Sequence, residues 1–380
     1  MKKILAAVAL VIPLIAGLTQ VGCTKKVDEN IILVGEYGSM TGGEATFGVS
    51  TNKGVRLAIE EFNSAGGVKG KTIKLITLDD QGKAEEAASV VTRLITQEKV
   101  VALIGEVASG RSLAAGPIAQ KNGIPMISPS STNPKVTEIG DNIFRVCFID
   151  PFQGTVMAKF TSENLKLKKV AILRDVNSPY SVGLADFYAS KFKELGGQIV
   201  TDQSYSTGDI DFKAQLTQIR STNPEAIFIP GYYTEVGLIA RQARQLGIKV
   251  PMMGGDGWDS SKLAEIGGEA INGSYFSNHY TTESQDPAVV EFNKKFKAKY
   301  NEVPDGLAAM GYDAAKVLIE AIKRAPEYTA KMIRDEIAKT KDFAGVTGKI
   351  TLNEKRDAVK SAVVVQVNGA TNKFVTTINP

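Results

Sequence analysis

The sequence predicts an α/β protein built from two doubly wound, Rossmann-like lobes that are joined by a multi-strand hinge. Three observations support this fold class: short apolar strands alternate with amphipathic helices, the alternation starts again near residue 170, and further helices and strands follow the second unit. The chain has 380 residues, which exceeds the roughly 100–150 residues of a common single domain. Its hydrophobic fraction of 43% is that of an ordinary folded protein, which argues against a disordered chain.

The first unit alternates between strand and helix patterns. In its first helix Val55, Ile59 and Phe62 recur at helical spacing before a glycine pair ends the helix. This order predicts a parallel sheet with helices on both faces. The predicted strands cover residues 31–37, 73–78, 100–105, 124–128 and 143–148, and the predicted helices cover residues 52–63, 84–97 and 113–121.

The second unit repeats this pattern, and the chain continues past it. Because the remaining segment is too short for a third unit, we expect it to return to the two earlier sheets and to form a hinge. The predicted lobes are residues 27–149 with 279–357, and residues 150–278 with 358–380. Predicted strands cover 170–174, 198–204, 226–230, 251–254, 274–278, 349–352, 361–367 and 373–378, and predicted helices cover 183–195, 212–221, 235–246, 288–300, 307–325 and 330–339.

The first residues have the pattern of an exported lipoprotein. A positively charged start precedes an apolar stretch at residues 4–18 that is short for a membrane span, and Cys23 follows a small residue. This arrangement resembles the bacterial lipobox, so we expect residues 1–22 to be a signal peptide and Cys23 to be diacylated. A plain signal peptide with an incidental cysteine is the alternative. Cys147 lies in a strand-like run, and we expect it to be a buried, unpaired thiol.

Composition and motifs argue against nucleic-acid binding and against catalysis. The net charge of +4 is small for this length and no polybasic run occurs, so nucleic acid is not an expected partner. The single histidine, His279, would have to serve any serine–histidine triad, yet no G-x-S-x-G elbow accompanies it. Zinc, redox and nucleotide-hydrolysis motifs are missing as well. We therefore expect no enzyme activity, no cofactor and no metal.

Hydroxyl groups follow two successive strands of the first unit. Ser109 opens a predicted helix behind one strand, and Thr132 lies in the serine-rich loop 128–134 behind the next. Free backbone N–H groups at a helix start, together with hydroxyl donors, favour an anion. We expect Ser109 and Thr132 to bind a carboxylate. The alternative is that Ser109 is only a helix cap and that residues 130–133 only form a turn.

In the second unit the matching positions are acidic or aromatic. Asp150, Tyr232 and Asp256 each follow a predicted strand, and Asp256 lies in the glycine-rich turn 254–257. Two carboxylates close together can hold an ammonium group through charge-assisted hydrogen bonds. Each aspartate alone is more often a turn or cap residue. Together with the hydroxyl loops, the set predicts a crevice that binds a zwitterion.

Longer motifs resemble a known family over nearly the whole mature chain. They are GGEATFG at 42–48, AIEEFNSAGGVKG at 58–70, SPSST at 128–132 and GYYTEVG at 231–237. These motifs are similar to those of the branched-chain amino-acid (Leu/Ile/Val) substrate-binding proteins of ABC transporters. The resemblance implies the type I periplasmic binding fold, capture of an amino acid by closure of the lobes, and delivery to an ABC transporter permease in the membrane.

The resemblance also implies roles for the groups that bind the two charged ends of the ligand. Ser109 and Thr132 match the carboxylate binders of the family, and Asp150 and Asp256 match the acidic groups near the α-ammonium. Members of the family often have glutamate where this chain has Asp256, so the ammonium would be reached through water or lie deeper.

Four further residues match the walls of the pocket. Ser130 and Ser131 match loop residues that offer backbone groups, Tyr232 matches the aromatic residue of the second lobe, and Phe47 matches a wall of the side-chain pocket. Small apolar residues are common in the family where Ser130 and Ser131 stand, which predicts a wetter pocket. The internal disulfide of some relatives has no counterpart in this sequence.

The resulting expectation is a lipid-anchored, monomeric solute-binding protein of the periplasm or cell surface. Its ligand would be a branched-chain or other small neutral amino acid, and its partner the membrane permease. Two alternatives stay open. One is a ligand-sensing receptor component of the same fold, and the other is a binder of an amide or urea-type solute.

Overall fold

The first lobe contains a five-stranded parallel sheet with helices on both faces. The computed structural model describes residues 29–369 and 371–380, so the predicted signal peptide and Cys23 lie outside the described residues. The elements of this lobe are β1 (Ile31–Gly38), α1 (Ala45–Ser64), β2 (Thr72–Asp79), α2 (Ala84–Thr96), β3 (Ala102–Ile104), α3 (Ser109–Lys121), β4 (Met126–Ser128), α4 (Lys135–Glu138) and β5 (Ile143–Arg145). The strand order is β2-β1-β3-β4-β5, which is a doubly wound order.

The second lobe contains a seven-stranded sheet. Its elements are α5 (Asp150–Lys159), which continues into a π-helical turn at Phe160–Asn164, then β6 (Lys169–Asp175), α6 (Pro179–Glu194), β7 (Gln198–Tyr205), α7 (Lys213–Ser221), β8 (Ala226–Phe228), α8 (Tyr233–Gln245), β9 (Met252–Gly254), a 3₁₀ turn at Asp256–Trp258, α9 (Ser261–Gly267), a 3₁₀ turn at Gly268–Ile271 and β10 (Tyr275–Asn278). These five strands pair in parallel, so their carboxyl ends share one edge of the sheet.

The last part of the chain returns to both lobes. It contains α10 (Pro287–Tyr300), α11 (Gly306–Arg324), α12 (Ala330–Ile337), β11 (Phe343–Gly345), β12 (Gly348–Ile350), β13 (Ala362–Asn368) and β14 (Thr371–Ile378). Helices α10, α11 and α12 share a core with α1 and β1 of the first lobe. Strands β13 and β14 extend the second sheet in antiparallel fashion, giving the order β14-β13-β10-β9-β8-β6-β7. The chain therefore passes between the lobes after β5, after β10 and after β12.

Two helices of the first lobe cross at backbone distance. A Cβ added at Gly54 of α1 would lie 1.9 Å from the backbone oxygen of Ala308, and one added at Gly311 of α11 would lie 2.4 Å from that of Thr51. Only glycine permits so close an approach. This close crossing packs α11 tightly against α1, so the part of the chain that contains α11 belongs to the first lobe.

The predicted fold class holds, and several predicted boundaries are wrong. Helix α1 begins at Ala45 and not at residue 52, because Gly48 lets the first turn pack on the backbone of Ser39. Strand β5 ends at Arg145 and not at residue 148, because the next residues leave the sheet towards the second lobe. The predicted strand at 349–352 forms a two-stranded ribbon with β11 and joins neither large sheet.

Two features bear on the expectations about cysteine and the membrane. Cys147 is buried and forms no disulfide within the described part of the chain, as predicted. None of the helices in the described ranges has both the length and the apolar character to cross a bilayer.

Candidate functional site

Two loops of the first lobe meet where β3 and β4 end. Ser109 is the first residue of α3, and its hydroxyl accepts a hydrogen bond of 3.2 Å from the backbone N–H of Asn133. Thr132 is buried beside them, and its backbone carbonyl accepts a hydrogen bond of 2.9 Å from the N–H of Asp150. The Thr132 hydroxyl itself has no hydrogen-bond partner among the described residues. It is a buried donor close to the start of α3.

A buried arginine holds the serine-rich loop in place. The Nη1 group of Arg145 donates to the backbone carbonyls of Ser131 and Asn133, at 2.5 and 2.9 Å. Its Nε atom lies 2.7 Å from Oδ1 of Asp357, which balances the buried charge. Arg145 therefore fixes the loop through the loop's backbone carbonyls, a role that sequence reasoning did not assign.

The two serines of this loop point in different directions. The Ser131 hydroxyl donates to the backbone carbonyl of Glu106 at 2.9 Å, so this side chain stays within the first lobe and leaves only its backbone for a ligand. The Ser130 hydroxyl crosses the crevice and donates to Oδ2 of Asp256 at 3.2 Å. Ser130 and Asp256, which sequence reasoning placed on opposite lobes, are thus in direct contact.

Asp256 is the centre of a buried hydrogen-bond network. It begins the 3₁₀ turn behind β9. Its Oδ1 accepts from Nε2 of Gln153 at 2.8 Å and from the Tyr180 hydroxyl at 3.1 Å. Its Oδ2 faces Ser130 and Nε2 of His279, which lies 3.3 Å away. Donors on four different segments thus hold this carboxylate at the edge of the crevice.

The glycines around Asp256 admit an aromatic side chain of the protein itself. A Cβ at Gly255 would lie 2.5 Å from the Tyr180 hydroxyl, and one at Gly257 would lie 2.8 Å from the backbone oxygen of Gly231. In the structure these glycines make room for Tyr180, which reaches Asp256 from the start of α6.

Asp150 has an unsatisfied carboxylate. It is the first residue of α5 and fully buried, and neither of its carboxylate oxygens has a hydrogen-bond partner among the described residues. Burial raises the pKa of Asp150 to about 8, and the charge of Asp256 adds to this rise. The Thr132 hydroxyl lies near enough to favour the ionised form, but not in hydrogen-bonding geometry. Two buried acceptors at this point suit a cationic donor.

Apolar side chains from both lobes line the remaining wall. The rings of Phe47 and Tyr232 meet edge to face with centroids 5.4 Å apart, and Tyr232 stacks on Tyr180 at 5.3 Å. Phe47 and Val107 of the first lobe share a hydrophobic cluster with Tyr232 and with residues of the second lobe. This wall can cover the apolar part of a ligand.

The lobes also touch beside the crevice. The hydroxyls of Thr46 and Ser260 are 2.9 Å apart, and Nδ2 of Asn133 donates to the backbone carbonyl of Pro179 at 2.8 Å. The two lobes are thus in direct contact beside the polar lining.

The structure brings the predicted site residues to one crevice and adds others that sequence reasoning missed. Tyr180 follows the strand β6 at the same sheet edge as the predicted residues, so its position was a usable signal. The sequence contains no such signal for Gln153, because only the tertiary fold brings its side chain to Asp256. Among the described residues no group of three or more acidic, histidine or cysteine side chains could hold a metal ion. The predicted residues are Phe47, Ser109, Ser130, Ser131, Thr132, Asp150, Tyr232 and Asp256; all are buried except Tyr232, which is half-buried.

Comparison with known proteins decides the family. The family model described as periplasmic binding protein matches residues 32–372. The chain belongs to the periplasmic binding protein family. A leucine-binding protein from Thermotoga maritima is 44% identical, with a TM-score of 0.88, over 92% of this chain and 99% of that one. This membership confirms the predicted fold class, and its members are solute-binding proteins, as predicted, not enzymes.

Two more relatives define the branch of the periplasmic binding protein family. The branched-chain amino acid transporter substrate binding protein of Streptococcus pneumoniae, solved in complex with isoleucine, is 37% identical, with a TM-score of 0.88, over 92% of this chain and 100% of that one. A Leu/Ile/Val-binding protein homologue of Brucella abortus is 32% identical over 327 residues, which are 86% of this chain and 87% of the relative. The family predicted from the motifs is therefore confirmed, and it implies an extracytoplasmic location.

Proposed function

We propose that this periplasmic binding protein captures a small, neutral amino acid between its lobes, with leucine, isoleucine and valine as the first candidates. The observation that carries the proposal is that the crevice contains a buried hydrogen-bond acceptor, the Asp150 carboxylate, and a buried donor, the Thr132 hydroxyl. Among the residues that the structure describes, neither carboxylate oxygen of Asp150 has a hydrogen-bond donor and the Thr132 hydroxyl has no acceptor. An α-amino acid brings an ammonium donor and a carboxylate acceptor on adjacent atoms, so one ligand satisfies both.

The acid end of the ligand would lie at the first lobe. The Thr132 and Ser109 hydroxyls and the first N–H groups of α3 are neighbours there. These N–H groups have no partner inside the helix, and the helix dipole favours negative charge. A ligand carboxylate at this place would accept hydrogen bonds from these hydroxyl and N–H groups.

The amine end would lie between Asp150 and Asp256. Asp256 is already held by four donors and so keeps its position, whereas Asp150 has no hydrogen-bond donor within the described ranges. A ligand without an ammonium leaves buried acceptors unpaired, which costs about 1–3 kcal/mol for each group. The site would therefore select its ligands first by their charged ends and then by the fit of their apolar part to Phe47 and Tyr232.

Closure would be the binding step. The contacts Thr46–Ser260, Asn133–Pro179 and Ser130–Asp256 join the lobes around the crevice. A ligand that contacts both lobes favours the closed form by its difference in affinity for the two forms. We propose that the hinge divides the chain into residues 27–149 with 279–357, and residues 150–278 with 358–380.

The proposal extends to the membrane partner of the protein and to its attachment at the membrane. The S. pneumoniae relative is a transporter substrate binding protein, and we expect the closed form of this protein to be delivered to an ABC transporter permease. The protein would be a monomer, exported by residues 1–22 and held at the membrane by a lipid on Cys23.

A comparison of leucine with its fragments tests the charged ends. Isothermal titration calorimetry would use leucine, 4-methylpentanoate, which lacks the ammonium, and isoamylamine, which lacks the carboxylate. We expect binding of leucine and a loss of at least 100-fold in affinity for each fragment. Equal binding of 4-methylpentanoate would remove the ammonium from the proposed site.

A thermal-shift screen tests the ligand class. The twenty amino acids, acetamide and urea would be compared at one concentration. The largest stabilisation is expected from leucine, isoleucine or valine, because apolar rings close the pocket. Stabilisation by acetamide or urea alone would favour the amide-binding alternative.

A further inference from the structure

The only histidine of the chain lies in the hinge and against the proposed site. His279 directly follows β10, where the chain leaves the second lobe for α10 of the first. Its side chain is 1% exposed, and its ring stacks on Phe148 with centroids 3.7 Å apart. Nε2 lies 3.3 Å from Oδ2 of Asp256. Phe148 itself lies between β5 and α5, in another passage between the lobes.

The surroundings select one neutral tautomer of His279. A carboxylate oxygen only accepts, so the ring nitrogen that faces Asp256 must carry the hydrogen. The other nitrogen, Nδ1, is buried and has no hydrogen-bond partner among the described residues. A second proton would therefore be placed on an atom without an acceptor. Burial also lowers the pKa of His279, and the hydrogen bond that His279 donates to Asp256 acts in the opposite direction.

The charged groups around this pair come from every neighbouring segment. Asp256 and, from the third passage between the lobes, Lys360 interact electrostatically with His279. Asp256 in turn interacts with Asp150 of α5 and with Tyr180 of α6. Cys147, next to Phe148, is neutral at physiological pH because burial raises its pKa to about 12. His279 thus shares the Asp256 carboxylate with the ligand and interacts electrostatically with Lys360, whose pKa burial lowers to about 8.

We propose that His279 is a positioning residue that, in its neutral form, holds Asp256 ready for the ammonium of the ligand and, once protonated, weakens amine capture. The inference rests on the proposed function of the crevice. A protonated His279 would occupy Asp256 as a cation and repel a ligand ammonium that binds the same carboxylate. Amino acids would accordingly be held at neutral pH and released in acid.

The direction and the size of the pH effect on ligand affinity follow from the linkage between proton binding and ligand binding. We expect opening of the crevice to expose the imidazole of His279 to water, where a histidine has its ordinary pKa of about 6.5. The closed, liganded form requires the neutral ring, so affinity falls as the pH drops through that value. Between pH 7.5 and pH 5.5 the expected loss is about tenfold.

Calorimetry of leucine binding at pH 7.5, 6.5 and 5.5 tests the inference with wild type and His279→Gln. The Gln amide can donate to Asp256 but cannot be protonated. We expect a two- to fivefold weaker affinity of the variant at pH 7.5, and a loss below threefold on acidification where wild type loses about tenfold. If affinity falls equally with pH in wild type and variant, or does not fall in wild type, the inference about His279 is overturned and the proposed function still stands. Absence of any amino-acid binding by wild type at pH 7.5 would instead overturn the proposed function.

Nuclear magnetic resonance of the wild type avoids the variant altogether. Protein labelled with ¹⁵N-histidine and purified without a histidine tag has one imidazole, so its two nitrogen shifts report the tautomer and the pKa directly. We expect the hydrogen on Nε2 and a pKa that falls by at least one when leucine is added. A hydrogen on Nδ1, or a pKa that leucine does not change, would overturn the inference.

Discussion

The unpaired carboxylate of Asp150 makes one substitution especially informative. Asp150→Asn keeps the shape of the side chain and removes its charge. In the liganded protein the change removes a charge-assisted hydrogen bond to the ammonium, worth about 1.5–3 kcal/mol. At about 1.4 kcal/mol for each factor of ten, leucine should bind about 10- to 150-fold more weakly.

The same substitution should stabilise the ligand-free protein. Burial raises the pKa of Asp150 from 3.8 to about 8, so the folded state binds this proton more tightly than the unfolded state. Stability is therefore lost as the pH rises from about 4 to about 8. At pH 7 the loss reaches about 4 kcal/mol in the closed form, at about 1.4 kcal/mol per pH unit. Asparagine has no such loss, and an unpaired amide offsets about 1–3 kcal/mol of the gain.

Two measurements and one matched control test whether Asp150→Asn weakens binding and stabilises the ligand-free protein. Calorimetry with leucine gives the affinity, and thermal melting of ligand-free protein at pH 5 and pH 8 gives the stability. We expect Asp150→Asn to bind more weakly and to melt higher, with the gain larger at pH 8. In the control, Asp256→Asn, affinity and melting temperature should both fall, because Asp256 already accepts from Gln153 and Tyr180. Unchanged affinity together with a lower melting temperature of Asp150→Asn would refute the reasoning.

Three further predictions concern other parts of the chain. Thr132→Val should weaken leucine binding about tenfold in calorimetry and leave thermal stability almost unchanged, because the hydroxyl makes no hydrogen bond within the part of the chain that the structure describes. Arg145→Lys should lower the free energy of unfolding by about 2–4 kcal/mol in urea titrations, since lysine cannot reproduce the planar fork that binds the loop carbonyls while pairing with Asp357. Cys23→Ala should move the protein from the membrane to the soluble fraction, and continued co-sedimentation with membranes would contradict lipidation.

Most of the fold could be predicted from the sequence, and the exceptions have local causes. The strands and most helices of both lobes show the periodicity of their type. Helix α5 shows none, because Pro151 and Gly154 interrupt it and it is buried on several sides. Pro151 is tolerated because it lies in the first turn, where its missing N–H has no partner anyway.

The site was only partly predictable for a similar reason. Residues such as Thr132 and Asp256 could be found because the carboxyl ends of parallel strands share one sheet edge. Gln153 and His279 take part through their tertiary contacts with Asp256, and neither contact follows from spacing in the sequence. The sequence also does not show that Ser131 turns its hydroxyl into the first lobe while Ser130 crosses the crevice.

The most direct measurement is a crystal structure of the protein grown with leucine. Opposed binding of the two charged ends predicts the ammonium nitrogen within about 3 Å of carboxylate oxygens of Asp150 and Asp256, and the ligand carboxylate within about 3 Å of the Thr132 and Ser109 hydroxyls. A leucine bound in the reverse orientation, or at any place that leaves Asp150 without a donor, would contradict it.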